Sequence, residues 1–373
     1  MSDSEKDDFD FADQSESEDV LGEEIPKEKR VLRTQAYDKS VYDLVSMIDN
    51  EDICLDPHYQ RSYIWDNKKA SLLVESILLN VPIPVIYVEE DEDSKWNVVD
   101  GLQRLNSLRR FFSNEFKLTG LEVLSELNRL QYSTLPSKAQ RILRNGILRI
   151  IVILQESHPE IKYDIFLRLN RGSVRLNEQE LRNCLYRGSL NNFLKDLRDV
   201  ERFRTILGLD KPHPRFVDAE LALRAIALAD QFDPTTGSVK SYAGKMKGFL
   251  NSYMEENKHA DVSKLEKLRQ LFLKNLDCSI EVFGNKVFRK IDPATGGAER
   301  QINRAVYDVV MVGFTHYSVD DVKTRKQAIY DGFVSLLSSD KDFSDALTFG
   351  TSDKAKVEYR LNKWAKSLES IMG

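Results

Sequence analysis

The stretch "NVVDGLQRLNSLRRFF", Asn97–Phe112, decides how the first half of the chain is read. An apolar pair, Val98-Val99, runs into Asp100-Gly101, and Leu105, Leu108 and Phe112 then recur at helical spacing. A strand that becomes a helix this abruptly needs a residue free to take a left-handed backbone, which Gly101 supplies. In the architectural reading Asp100 caps the helix, Gly101 turns the chain and Arg104 lies on the surface. In the chemical reading the unpaired N–H groups and dipole of the helix start attract phosphate. Arg104 then adds a bidentate contact, Gln103 an amide, and Asp100 a metal ligand or an anchor for the arginine. Taken alone, one glycine and one arginine favour the architectural reading.

Working outward, "PIPVIYVEE" is a strand entered through its prolines, and "KWNVVDG" is its hairpin partner across the acidic turn Glu90–Ser94. "YDKSVYDLVSMIDN" (Tyr37–Asn50) places Val41, Leu44, Val45 and Ile48 on one helical face, and "ICL" at Ile53–Leu55 is a short strand. Asp66 or Asn67 can cap a helix over Lys68–Leu79 that buries Leu72, Leu73 and Ile77. "ILRIIVIL" is a further strand. Lys162–Leu197 reads as helix, glycine-containing loop, helix, with Asn177 and Glu180 spaced as a capping box. Beyond about Asp199 the period is almost wholly helical. The expected organisation is an acidic tail over 1–30, a mixed domain over 31–198 and a helical domain over 199–373, with no internal repeat.

The chain has 373 residues, 41% of them hydrophobic and 31% charged, within the range of globular proteins. No apolar run approaches the length of a membrane span, and the N-terminus lacks the pattern of a secretory signal. Cys54, Cys184 and Cys278 are scattered, which fits a reducing cytoplasm rather than a disulfide scaffold or zinc ribbon. The net charge of −6 hides a division: the first 24 residues carry eleven Asp or Glu against one Lys, so the remainder is at about +4. A segment this charged is expected to be disordered. It is either a solubilising tail or, more sharply, a mimic of nucleic acid that covers a basic groove.

Two further stretches bear on DGLQR. "HYQRSYIW" repeats the amide–guanidinium pairing at Gln60-Arg61, flanked by Tyr59, Tyr63 and Trp65, a set suited to a base and its phosphates or to packing of an ordered loop. "FLRLNRGSVRLNEQELRN" adds Arg168, Asn170, Arg171, Gly172, Arg175 and Arg182, either an anion cradle or a solvated helix hairpin.

In their order, HYQRSYIWD, ESILLNVPIPVIYV, VVDGLQRLNSL and IFLRLNRGSVRLNEQELRN resemble the N-terminal domain of GmrSD-type restriction endonucleases, whose hallmark is an Asp-Gly-Gln-Gln-Arg motif. The resemblance is close over about residues 31–190 and weaker beyond. It implies an α+β fold, with a ParB/sulfiredoxin-like mixed N-terminal domain followed by an all-helical C-terminal domain. It also implies binding of a nucleoside triphosphate with Mg²⁺, hydrolysis in some relatives, and coupling to attack on foreign or modified DNA. Carried over residue by residue, Asp100, Gly101, Gln103 and Arg104 fill the hallmark motif, Gln60 and Arg61 an earlier Gln-Arg, and Arg168 and Asn170 an F-x-R-x-N segment. Asp100 and Gln103 are the catalytic candidates, Asp100 is also the candidate metal ligand, and Gln103 together with Gln60, Arg61, Gly101, Arg104, Arg168 and Asn170 binds nucleotide. Leu102 stands where the family has its first glutamine: if that glutamine positions a water, hydrolysis is impaired while binding survives, and if it only packs, nothing is lost.

The five histidines, His58, His158, His213, His259 and His316, are dispersed. The spacing gives no His-Asn-His nuclease, and no cysteine flanks DGLQR to support sulfiredoxin-like redox chemistry. The expectation is therefore a nucleotide-binding regulatory protein of a bacterial or archaeal anti-phage system, acting with a separate effector protein. The alternative is a ParB-like DNA-binding or scaffold protein without turnover.

Overall fold

The structure, a computed structural model, describes residues 31–55, 65–169 and 177–373. The expected acidic tail and the Gln60-Arg61 and Asn170–Arg175 segments lie outside the described residues. The chain forms two compact units that divide between Leu185 and Tyr186.

The N-terminal unit is α+β. It runs β1 (Thr34–Ser40), α1 (Val41–Asp49), β2 (Ile53–Cys54), α2 (Asn67–Leu78), β3 (Ile86–Glu90), β4 (Trp96–Asp100), α3 (Leu102–Phe112), α4 (Ser137–Asn145), β5 (Ile147–Ile153), α5 (Pro159–Leu169) and α6 (Glu178–Leu185). The five strands form one sheet in the order β1-β5-β3-β4-β2. The β1/β5 and β3/β4 pairs are antiparallel, whereas β5/β3 and β4/β2 are parallel.

Strand alternation divides the sheet's chemistry. Ile86, Val88, Trp96, Val98, Leu148, Ile150 and Val152 face a core completed by α1 to α4. Glu89 and Asn97, one residue out of phase, point the other way, and there Lys162 of α5 pairs with Glu89 at 2.8 Å. The local signals hold. Val41, Leu44, Val45 and Ile48 are the buried residues of α1. Asp66 caps α2 by accepting from the Lys69 N–H. Asn177 and Glu180 accept from each other's backbone N–H at 2.8 and 2.6 Å, a complete capping box.

Two positions differ from the periodicity. Phe111 rather than Phe112 is the buried aromatic of α3, because Phe112 stacks at the edge on Tyr132, with ring centroids 4.3 Å apart. Leu72 is only half-buried, because its side chain lines a pocket instead of the core.

The second unit is helical: α7 (Ser189–Leu197), α8 (Glu201–Leu207), α9 (Val217–Gln231), α10 (Met246–Glu256), α11 (Val262–Phe283), α12 (Arg304–Gly313), α13 (Val319–Thr324), α14 (Lys326–Ser339), α15 (Lys341–Ala346) and α16 (Lys354–Met372). A small hairpin, β6 (Phe232–Asp233) with β7 (Ser238–Val239), interrupts the helices. Its turn, "DPTTG" at Asp233–Gly237, recurs as "DPATG" at Asp292–Gly296 beside an isolated bridge between Ile291 and Ala298. In both turns the aspartate accepts from the N–H two residues on and from the threonine hydroxyl, and the glycine N–H returns to the aspartate carbonyl at 2.8 Å. These bonds hold both carboxyls below the usual carboxylate range. The repeat is a turn device that periodicity alone does not reveal.

Candidate functional site

Asp100 ends β4 and Gly101 starts α3 with a backbone angle φ of +104°, well inside the region that favours glycine. A β-carbon at Gly101 would sit 2.9 Å from Ile86 Cγ1 and 3.2 Å from Arg104 Nη2. The turn therefore needs glycine for both conformation and space. No side chain caps α3. Asp100 instead looks forward to Arg104, one turn on, at 2.8 Å.

Arg104 is not the surface residue of the architectural reading. Its side chain keeps only 11% of its exposure. One end of the guanidinium donates to the Pro84 carbonyl, and the other to the Val85 carbonyl at 3.3 Å and to Asp100 Oδ2. The prolines ahead of β3 explain this. Pro82 and Pro84 lack N–H groups, so the strand entrance has carbonyls without a matching ladder, and Arg104 supplies donors. Burial pulls the guanidinium below its ordinary pKa while the Asp100 carboxylate pushes back, and the group stays charged.

Gln103 is engaged as well. Its Oε1 accepts from the Trp65 N–H at 3.2 Å, tying the helix start to the residue just before α2's cap. Asp100 is the open member of the set. Its side chain is 43% exposed, and its second oxygen, Oδ1, has no protein partner among the described residues.

Beside this cluster lies a pocket of about 460 Å³ lined by Trp65, Lys69, Leu72, Leu73, Ser76, Ile83, Pro84 and Arg104. That volume falls in the range of small-molecule sites. The wall is mostly apolar. Exposed Lys69 at its rim has no ion-pair partner among the described residues.

The structure thus brings Asp100, Gly101, Gln103 and Arg104 together and sets Arg104 in the pocket wall. Arg168 stands apart: exposed near the end of α5, it pairs with Asp164 at 2.8 Å. Gln60, Arg61 and Asn170 lie outside the described residues. Arg182, grouped by sequence with a cationic face, is fully buried on α6 and donates to Glu178 and Gln179. Among the described residues no group of three or more His, Cys, Asp or Glu is placed to hold a metal ion.

With this geometry in hand, residues 41–187 match the family model described as "GmrSD restriction endonuclease, N-terminal domain". The matched segment belongs to that domain family. It spans most of the N-terminal unit, including the DGLQR turn, the pocket and the capping box of α6. No curated protein and no solved structure matches the chain. Among the described residues no helix is long and apolar enough to cross a membrane.

Sequence reasoning missed two features. Lys69 and Leu72 are pocket residues, and both lie on α2, whose apolar spacing signals only burial. In the helical unit Arg224 grips Asp308 through two bonds of 3.1 and 2.7 Å, and Arg360 reaches the same carboxylate at 3.1 Å. All three are buried. Arginine is common on exposed helix faces, so nothing local marks these as interior.

Proposed function

We propose that the N-terminal unit binds a nucleoside triphosphate with Mg²⁺ beside the DGLQR turn, as the regulatory component of a restriction-type defence system acting with an effector protein against foreign DNA. The observation that carries this reading is the pocket against Arg104. Its apolar wall of Trp65, Leu72, Leu73, Ile83 and Pro84 suits a planar base, and Lys69 at the rim, with no ion-pair partner among the described residues, suits a phosphate. Asp100, whose side chain is 43% exposed and whose Oδ1 has no partner among the described residues, is the group that could reach a magnesium ion. Turnover is a separate matter. It requires a positioned water, and Gln103 and Leu102 offer little for that: one is tied to Trp65 and the other is apolar.

Titration calorimetry of the whole chain with ATP, GTP, CTP and UTP in the presence of Mg²⁺ tests the reading. Saturable heat that weakens in Lys69→Ala is expected. Arg104→Ala is a poor probe, since it also removes the clamp on Pro84 and Val85. Absence of heat with all four nucleotides from folded protein would discard nucleotide binding.

One observation favours a second reading. Because the Arg104 guanidinium is spent inside the fold, DGLQR can be a device of architecture in a ParB-like DNA-binding or scaffold protein. Affinity for duplex DNA that falls steeply with salt and ignores nucleotide would support it.

A further inference from the structure

The five-stranded sheet of the N-terminal unit has two edges, and they are unlike. β2 is two residues long, whereas β1 runs for seven in unbroken register with β5. β1 holds no proline and no bulge to keep its free side from pairing. Two hydrogen bonds fix its phase. The Leu154 N–H donates to the Arg33 carbonyl at one end, and the Val41 N–H to the Gly146 carbonyl at the other. Antiparallel bonding alternates by residue, so Gln35, Tyr37 and Lys39 bond toward β5. The N–H and carbonyl groups of Thr34, Ala36 and Asp38 therefore point away from the sheet, where no strand is paired with them among the described residues. The side chains of all three are exposed.

We propose that this edge joins a second copy of the chain: two β1 strands pair antiparallel across a twofold axis, and the two sheets run on as one. Only outward-facing residues can bond, so Thr34, Ala36, Asp38 and Ser40 must meet one another, which puts the axis on a residue rather than between two. An axis at Asp38 would set two carboxylates face to face. One at Ala36 would set Lys39 against Arg33. Like charges directly opposite are unfavourable, and an axis at Tyr37 avoids both.

That register pairs Ala36 with Asp38, Thr34 with Ser40 and Gln35 with Lys39. Ala36 is small enough to leave the Asp38–Arg149 ion pair in place beside it. Ser40 caps α1, which takes its carbonyl, so the joint carries about six main-chain bonds. Ile147 is the ladder partner of Ser40. Leu32 of one copy and Ile147 of the other, 45% and 61% exposed in the single chain, come to the same end of the joint. An unrelated strand can use the same free groups. What favours a second copy is that both the bonding phase and the charges of β1 close on themselves at Tyr37. The nucleotide reading of DGLQR is independent of this assignment.

The test is made on the full chain. Light scattering at increasing concentration is expected to approach twice the mass of one chain. Ala36→Pro removes an outward N–H that the fold does not use, so it should give a folded monomer, with an unchanged circular dichroism spectrum as the control. Tyr37→Cys under mild oxidation should give a disulfide-linked dimer, because residues on the axis face each other with about 4.5 Å between Cα atoms. Gln35→Cys should not, its two copies lying about 14 Å apart along the strand. The wild-type chain, with its own three cysteines, is the background for both. Where Ala36→Pro fails to fold, the two cysteine variants decide. A wild-type chain that stays monomeric overturns the proposal and leaves the edge to a strand of another protein. A dimer that survives in folded Ala36→Pro, or cross-linking as strong in Gln35→Cys as in Tyr37→Cys, overturns it equally.

Discussion

Two arginine–aspartate clusters built on buried arginines, one in each unit, use the same chemistry to opposite ends. In the helical unit Asp308 is clasped by Arg224 and Arg360, and none of the three side chains keeps more than 1% of its exposure. In the N-terminal unit Arg104 is clasped by Asp100 and two carbonyls, but the carboxylate is 43% exposed and a pocket opens beside the guanidinium. The first cluster can only hold helices α9, α12 and α16 together. The second also holds a strand entrance, yet leaves an acidic oxygen and a cationic wall within reach of a ligand. A buried arginine is thus a sign of function only where its surroundings leave something open.

The comparison predicts its largest effect at the closed cluster. Asp308→Asn leaves two guanidiniums in the interior without their shared counter-charge, and breaking a buried pair in this way costs about 3–5 kcal/mol. Denaturant unfolding should show a loss of that order for the helical unit. A loss no greater than that of an exposed pair would mean that water reaches the cluster.

Next in size is Gly101→Ala. The φ of +104° strains any L side chain, and its Cβ would press on Ile86 and on the Arg104 guanidinium. Together these should destabilise the N-terminal unit by about 1–3 kcal/mol. If nucleotide binds at this turn, calorimetry should also register weaker binding, since the displaced guanidinium forms the pocket wall. A stable variant with full affinity would separate the turn from the site.

Why was so much of the N-terminal unit legible and so little of this contrast? Helix faces, caps and hairpins are written over a few residues. The Val41–Ile48 face, the Asp66 cap, the Asn177–Glu180 box and the β3/β4 pairing all follow from spacing and short-range hydrogen bonding. The clamp on Arg104 depends on carbonyls of Pro84 and Val85, about twenty residues upstream, and on the sheet that brings them close. The triad depends on three helices whose arginines look solvent-facing in sequence. Leu72 and Lys69 differ from their neighbours on α2 only in what the chain leaves empty beside them. The family resemblance located the DGLQR turn, and the coordinates then showed that its arginine is spent largely on the fold.

Glu75 gives an intermediate effect with a definite pH dependence. Buried on α2, its carboxylate accepts from the N–H groups of Val123 and Leu124 at 2.9 and 2.8 Å and of Glu122 at 3.3 Å. Burial alone would raise its pKa. The three donors outweigh it and hold the group below its ordinary value of 4.5. Because the folded value is depressed, the stabilisation is fully present above pH 4.5 and is lost as pH falls through the lower folded-state value. Glu75→Gln should therefore cost about 1–3 kcal/mol near neutrality, with the gap to wild type closing in acid. A gap that stayed constant down to the acid limit would show that the carboxylate's charge is not what holds the 122–124 loop.

The smallest effect sharpens the comparison most. Asp38 and Arg149 face each other across β1 and β5 in a bidentate pair, with Nε to Oδ1 and Nη2 to Oδ2 both 2.8 Å. Its geometry is as good as that of Arg224 on Asp308, and each partner holds the other's pKa toward the charged form. The difference is solvent: the two side chains keep 50% and 59% of their exposure. Water already solvates both ions there, and salt screens what attraction remains, so little is lost when the pair is broken. Asp38→Asn should leave the unfolding midpoint of the N-terminal unit unmoved at physiological salt. If it instead cost as much as Asp308→Asn, geometry rather than burial would set the strength of these pairs, and the distinction between a closed and an open cluster would fall with it.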